Sequence, residues 1–79
     1  MKYLLSLKKN IHAVPHSQKI LDETESLNLI RKVILAIQPI EESSADLKAL
    51  SIINNAVNNP QAIENVKNGV VLVVQQYAE

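Results

Sequence analysis

Two hydrophobic patterns overlap in the C-terminal segment KNGVVLVVQQYAE. An Asn-Gly pair before four valines and a leucine is typical of a β-hairpin, so a strand is the competing interpretation. From Ile63 to Tyr77, however, apolar residues recur at steps of three and four, which is the spacing of one helical face. Asn59 and Pro60 provide an N-cap and a first helical residue. The spacing therefore predicts a helix over residues 60–78.

Hydrophobic residues at helical spacing predict three further helices upstream, over residues 2–13, 18–38 and 44–57. Pro15 and Pro39 end the first two, because proline cannot continue a helix without losing a hydrogen bond. The stripes are, in order, Leu4, Leu7 and Ile11; Ile20, Leu27, Ile30, Ile34 and Ile37; and Leu50, Ile53 and Val57. Short loops make consecutive helices antiparallel. The sequence predicts an all-α fold, a small antiparallel four-helix bundle formed by the whole chain as a single domain.

Composition limits the functions open to residues 1–79. A chain of this size buries only about 60% of its unfolded surface, and without Cys it has neither disulfides nor thiolate metal ligands. Eight basic and eight acidic residues cancel to a formal net charge of zero, which removes the broad positive field of a nucleic-acid binder. We therefore expect no nucleic-acid partner.

Side chains capable of catalysis or metal binding are few and poorly placed. His12 and His16 are four residues apart, but Pro15 lies between them and no third ligand is evident. The acids at 22–25 fall at the start of a predicted helix, where the helix dipole alone favours them. The serines at 43–44 have no nearby His to activate them, and one glycine cannot form a phosphate-binding loop. We expect no enzyme activity, no cofactor and no metal site.

The longest apolar runs, at 33–37 and 69–74, are far short of the roughly 18 residues that a membrane-spanning helix needs. The N-terminal MKYLLSL is followed by two lysines rather than by a signal-peptide cleavage site, which predicts a cytoplasmic protein. A basic N-terminal end leaves open a weak contact with an anionic membrane surface. The residues for such a contact are Lys2, Lys8, Lys9, Leu4 and Leu7.

The predicted C-terminal helix leaves two apolar side chains off its core stripe. Val71 and Leu72 would lie about 120° and 140° from the centre of the stripe, facing away from the bundle. One explanation is structural: Val71 and Leu72 are single exposed hydrophobic residues of the ordinary kind, or the helix is buried on two sides. The alternative is a surface for a protein partner or for a second copy of the chain. That candidate surface comprises Asn68, Val71, Leu72, Gln75, Gln76 and Glu79.

The stretch ADLKALSIINNAVNNPQAIENVKNGVVLVVQQYA, with the preceding LNLIRKVILAI, resembles the enterocin A immunity-type family, which protects producers of pediocin-like (class IIa) bacteriocins. The shared features are a capped helix with LKAL, an Asn-rich end, a short turn and a final amphipathic helix, over residues 17–78. The resemblance implies a cytoplasmic four-helix bundle that confers bacteriocin resistance by binding. It also implies a mannose phosphotransferase membrane component with bound bacteriocin as partner, and recognition by the region from Asn68 to Glu79. The alternative function is a small helical homodimeric structural or regulatory module that acts through its C-terminal helix.

Overall fold

The chain folds into one antiparallel β-sheet with two helices. The computed structural model describes residues 1–10, 12–67 and 70–77. Its elements are β1 (Lys2–Lys8), β2 (Ser17–Asp22), α1 (Glu23–Ile37), α2 (Glu42–Asn58), β3 (Ala62–Lys67) and β4 (Val70–Tyr77). The strands are ordered β2-β1-β4-β3, so that β1 and β4 are central and β2 and β3 form the edges. No helix in the described part of the chain is long and apolar enough to cross a bilayer.

The predicted all-α four-helix bundle is wrong. The predicted helix 2–13 is replaced by β1 and the loop that follows it, and the predicted helix 60–78 is replaced by β3 and β4. Within the predicted helix 18–38, residues up to Asp22 form a strand and only the remainder is helical. The predicted helix 44–57 agrees with α2 to within two residues at either end. The fold is therefore α+β.

Pairing with distant strands explains why the helical spacing near the C-terminus led to the wrong prediction of a helix over residues 60–78. In β4, Leu72 and Val74 belong to the core beneath the helices, whereas the alternating Val71 and Val73 are buried without belonging to that core cluster. A short run of β-branched residues cannot be assigned to helix or strand by periodicity alone. β4 forms seven register pairs with β1, which satisfy its backbone hydrogen bonds along almost its whole length. This pairing selects strand over helix for the segment.

Both helices pack on the same face of the sheet, which we call the helix face. Ile30 and Ile34 of α1 are fully buried there, and the small residues Ala45, Ala49 and Ala56 let α2 approach closely. The sheet contributes Tyr3, Leu5, Ala62, Leu72 and Val74 to this core. The predicted core stripe of α2 is wrong in two of its three positions, because Leu50 and Val57 are exposed and only Ile53 is buried.

Local interactions fix the start of α1 and its packing against α2. Asp22 caps α1, since its Oδ1 accepts a hydrogen bond from the Glu25 backbone N at 2.8 Å. Arg31 joins the two helices through Glu42 at 3.3 Å and Asp46 at 2.6 Å. Because α1 follows β2 directly, it runs back alongside this edge strand. A groove therefore forms between β2 and α1.

Candidate protein-binding surfaces

The sheet face opposite the helices, which we call the open face, is covered by no helix or strand of the described residues. Side chains alternate between the two faces of a strand, so the cross-strand register defines which residues share this face. Leu4 lies opposite Ile20, and Val73 lies between Ser6 and Ile63. The remaining register neighbours on this face are Lys2, Lys8, Gln18, Asp22, Asn65, Val71, Gln75 and Tyr77.

An apolar band crosses the open face from one edge of the sheet to the other. Ile20 is 45% exposed at one edge and Ile63 is 42% exposed at the other, with Leu4 and Val73 between them. Val73, Val71 and Ser6 in the middle of this face are only 3–5% exposed, so the exposed apolar surface lies at its edges. Tyr77, at one end of the central strand β4, adds a ring that is 41% exposed. The open face therefore offers apolar surface that folding does not bury.

Uncharged polar groups interrupt this band. Gln18 Nε2 donates to Ser6 Oγ at 3.2 Å, and Gln75 Nε2 donates to Gln61 Oε1 at 2.9 Å. Among the described side chains of the face, charge is confined to Lys2, Asp22 and Lys8, which lie toward the strand ends. Depletion of charge within the patch is a feature that this face shares with protein–protein interfaces.

The sheet separates the residues predicted to form the C-terminal binding surface. Val71 and Gln75 lie on the open face. Leu72 is 3% exposed in the core, and Gln76 faces the helices, where its Nε2 donates to the carbonyls of Ala56 at 3.2 Å and Val57 at 2.8 Å. Asn68 and Glu79 lie outside the described residues. The sequence did not indicate Ile20, Ile63 or Val73 as surface residues, and it indicated Leu4 only for a membrane contact.

The second candidate surface is a recess on the helix face, at the β2 edge. It is an apolar cleft of about 230 Å³ between α1 and the strands β1 and β2. Leu7 and Ser17 line one side and Leu29, Ile30 and Val33 line the other. A more polar hollow of about 270 Å³ continues along β2, lined by Lys19, Leu21, Glu25, Asn28, Leu29 and Lys32. Lys19 and Leu29 border both recesses, which therefore form one groove.

The other candidate side chains take structural positions. His12 and His16 lie in the loop between β1 and β2, where both are exposed. Glu23 and Glu25 occupy the first turn of α1 beside the Asp22 cap, so these acids lie at a helix start, although that start is at Glu23 and not at residue 18. Within the described residues, no three His, Cys, Asp or Glu side chains are grouped to hold a metal ion. Among the described residues, the open face and the β2–α1 groove are two surfaces to which a function can be attached.

No protein-family model, no curated protein and no solved structure matches this chain.

Proposed function

We propose that this chain is a non-catalytic association module, whose open face packs against the same face of a second copy. The observation that supports the proposal is the exposure of Ile20, Ile63 and Tyr77 on one sheet face, which no described helix or strand covers. Isolated exposed hydrophobic residues are ordinary, whereas several that share one uncovered face are typical of an interface.

A second copy suits this face electrostatically and chemically. The formal net charge of the chain is zero at pH 7, so two copies do not repel each other as highly charged proteins do. A two-fold interface must be self-complementary, because the same patch contributes to both sides. The amides of Gln18, Gln75 and Asn65 carry both donors and acceptors, and can therefore pair with their own kind.

The exposed fractions set the expected strength of this association. Full burial of an Ile side chain stabilises by about 1.5–3 kcal/mol, so covering the exposed 45% of Ile20 contributes about 1 kcal/mol. Ile63 and Tyr77 contribute similar amounts, and each residue occurs twice in a symmetric dimer. The gross gain of about 6 kcal/mol corresponds to a dissociation constant of tens of micromolar, and the entropy cost of association weakens it further. We therefore expect a weak dimer that forms only at about millimolar concentration.

The test is sedimentation equilibrium of the whole chain from micromolar to millimolar concentration. Ile63→Glu places two charges in the proposed interface and should give a monomer throughout. Leu47→Glu makes the same kind of change at a residue of α2 that is 69% exposed on the opposite side of the molecule, and should dimerise like the unmodified chain. Circular dichroism confirms that both variants are folded. An unmodified chain that stays monomeric at millimolar concentration, or an Ile63→Glu variant that still dimerises, would contradict the proposal.

The bacteriocin-immunity function and the cytoplasmic location stay predictions. The resemblance to the immunity proteins rests on helical patterns over residues 17–78, and the last of the three predicted helices in that range is the strands β3 and β4 in this fold. The alternative function was a homodimer formed through a C-terminal helix, but that segment is the paired strands β3 and β4. The present proposal keeps the homodimer and places its interface on the open face of the sheet.

A further inference from the structure

The two edges of the sheet differ in how well they could accept another strand. β3 carries an irregularity in its pairing with β4 between Asn65 and Lys67, and bulges of this kind disfavour strand addition. β2 pairs with β1 in an unbroken register from Ser17 to Asp22 and contains neither proline nor glycine. In an antiparallel pair, about half of the residues of an edge strand direct their backbone N–H and C=O groups outward. No described strand pairs with that side of β2.

The groove beside this edge has an apolar part and a basic part in a fixed order. Ser17, Lys19 and Leu21 are the helix-face residues of β2, and they border the groove in sequence. The apolar cleft lies at the level of Ser17, and the hollow that contains Lys32 lies at the level of Lys19 and Leu21. From Ser17 to Leu21 the strand rises about 13 Å, which matches about five residues of an extended peptide.

Within the described residues, the lysines of the groove have no charged partner. Across the described residues, neither Lys19 nor Lys32 has an ion pair or a side-chain hydrogen bond, whereas Arg31 and Lys48 both have acidic partners. Glu25 is the one acid among the described residues that lines the groove, and it borders only the polar hollow. The part of the groove around Lys19 therefore favours a ligand that carries a carboxylate close to an apolar side chain.

We propose that the β2–α1 groove binds an extended acidic segment of a protein partner as a fifth strand of the sheet. Backbone hydrogen bonds to the outer side of β2 hold the segment, as in other complexes formed by strand addition. One apolar side chain of the segment enters the cleft lined by Leu7, Leu29 and Val33. Residues two apart share a strand face, so an Asp or Glu two positions away lies beside Lys19 and Lys32. The recognised pattern is an apolar residue, any residue, and an acid, in one chain direction or the other.

Selection from a displayed library of random peptides on the immobilised whole chain tests this inference. We expect enrichment of peptides with an apolar residue and an acid at positions i and i+2. A synthetic copy of the most enriched peptide should bind the Lys19→Glu variant about tenfold more weakly, since attraction becomes repulsion. Lys9→Glu changes the net charge equally at an exposed loop residue outside the groove, and should bind like the unmodified chain.

Two further measurements separate strand addition from other modes of binding. Val33→Phe fills the cleft and should weaken binding about tenfold, whereas Val57→Phe makes the same change at an exposed position of α2 and should leave binding unchanged. The peptide backbone is N-methylated at one position at a time. Methylation at every second position should abolish binding and methylation at the positions between should not, because only alternate N–H groups face β2. Loss at every position or at none would indicate a different binding mode. If Val33→Phe fails to fold, the lysine variants and the methylated peptides still decide.

Several outcomes would overturn the inference. These are a lack of enrichment over bare support, enriched peptides without the acid, and equal binding by Lys19→Glu and Lys9→Glu. A second copy of the chain in the groove would appear as a dimer that dissociates in Lys19→Glu and persists in Ile63→Glu, which would also overturn it. The open face plays no part in this experiment, so dimerisation and peptide binding succeed or fail independently.

Discussion

Replacing neighbouring valines of β4 by alanine tests the assignment of the two sheet faces. Val74 is completely buried on the helix face, where its register neighbours are Leu5 and Ala62. Val73 is 3% exposed, yet it lies on the open face between Ser6 and Ile63. Both substitutions remove the same two methyl groups from the same strand. Any difference between them therefore reports what covers each face.

The expected losses follow from burial and from the space left behind. Two buried methyl groups represent about 1.6 kcal/mol of transfer free energy at about 0.8 kcal/mol each. At Val74 the surrounding core cannot close the gap, so the cavity adds to this and the total is about 2–3 kcal/mol. At Val73 solvent and the side chain of Ile63 can fill the gap, and we expect about 1 kcal/mol. A chain of this length has a total stability of about 4–12 kcal/mol, so Val74→Ala should remove a large part of it.

Urea unfolding followed by circular dichroism measures both losses. The chain is kept at low micromolar concentration, where the proposed dimer is dissociated and only the monomer fold contributes. The slope of free energy against urea should be the same in all three proteins, because the surface exposed on unfolding is the same. A loss for Val73→Ala equal to or larger than that for Val74→Ala would refute the reasoning, because the open face would then be packed as tightly as the core.

Two further predictions concern single residues near the start of α1. Burial of Tyr3, with a smaller effect from the charge of Glu23, raises the pKa of the Tyr3 phenol above 10.0. The folded chain then holds this proton more tightly than the unfolded chain. The free energy of unfolding should therefore fall as the pH rises through about 10 and level off above the folded pKa. Tyr3→Phe should lack this fall in urea unfolding at matched pH, and a parallel decline in both proteins would contradict it. Asp22→Ala removes the cap of α1 and should lower the free energy of unfolding by about 1 kcal/mol in the same assay. Asn is also a good N-cap, so Asp22→Asn should keep most of that stability. Equal losses in the two variants would argue against the cap.

Candidate surfaces were only partly predictable from the sequence. Val71 and Gln75 were predicted to face a partner, and both lie on the open face, although as members of a strand. Ile20, Leu4 and Ile63 had been assigned to three different helices, and nothing in their local sequence indicates that they share a surface. The period-two alternation of Tyr3, Leu5 and Leu7 and the Asn-Gly pair before β4 were the available signals for strands.

The sequence by itself located most of the two helices, because their signals are local. The acids after Asp22 and the apolar spacing of Ile30 and Ile34 act within a few turns, although the predicted first residue of α1 was five residues too early, and α2 agrees with its prediction to within two residues. Only the tertiary structure decided the rest. The backbone of β1 is satisfied on one side by β2 and on the other by β4, roughly seventy residues further along, and the backbone of β4 by β1 and β3. Valine-rich and leucine-rich segments are compatible with helix or strand, so the arrival of a partner strand selects between them. The same pairing creates the open face and the β2–α1 groove, because each combines residues that only the sheet brings together.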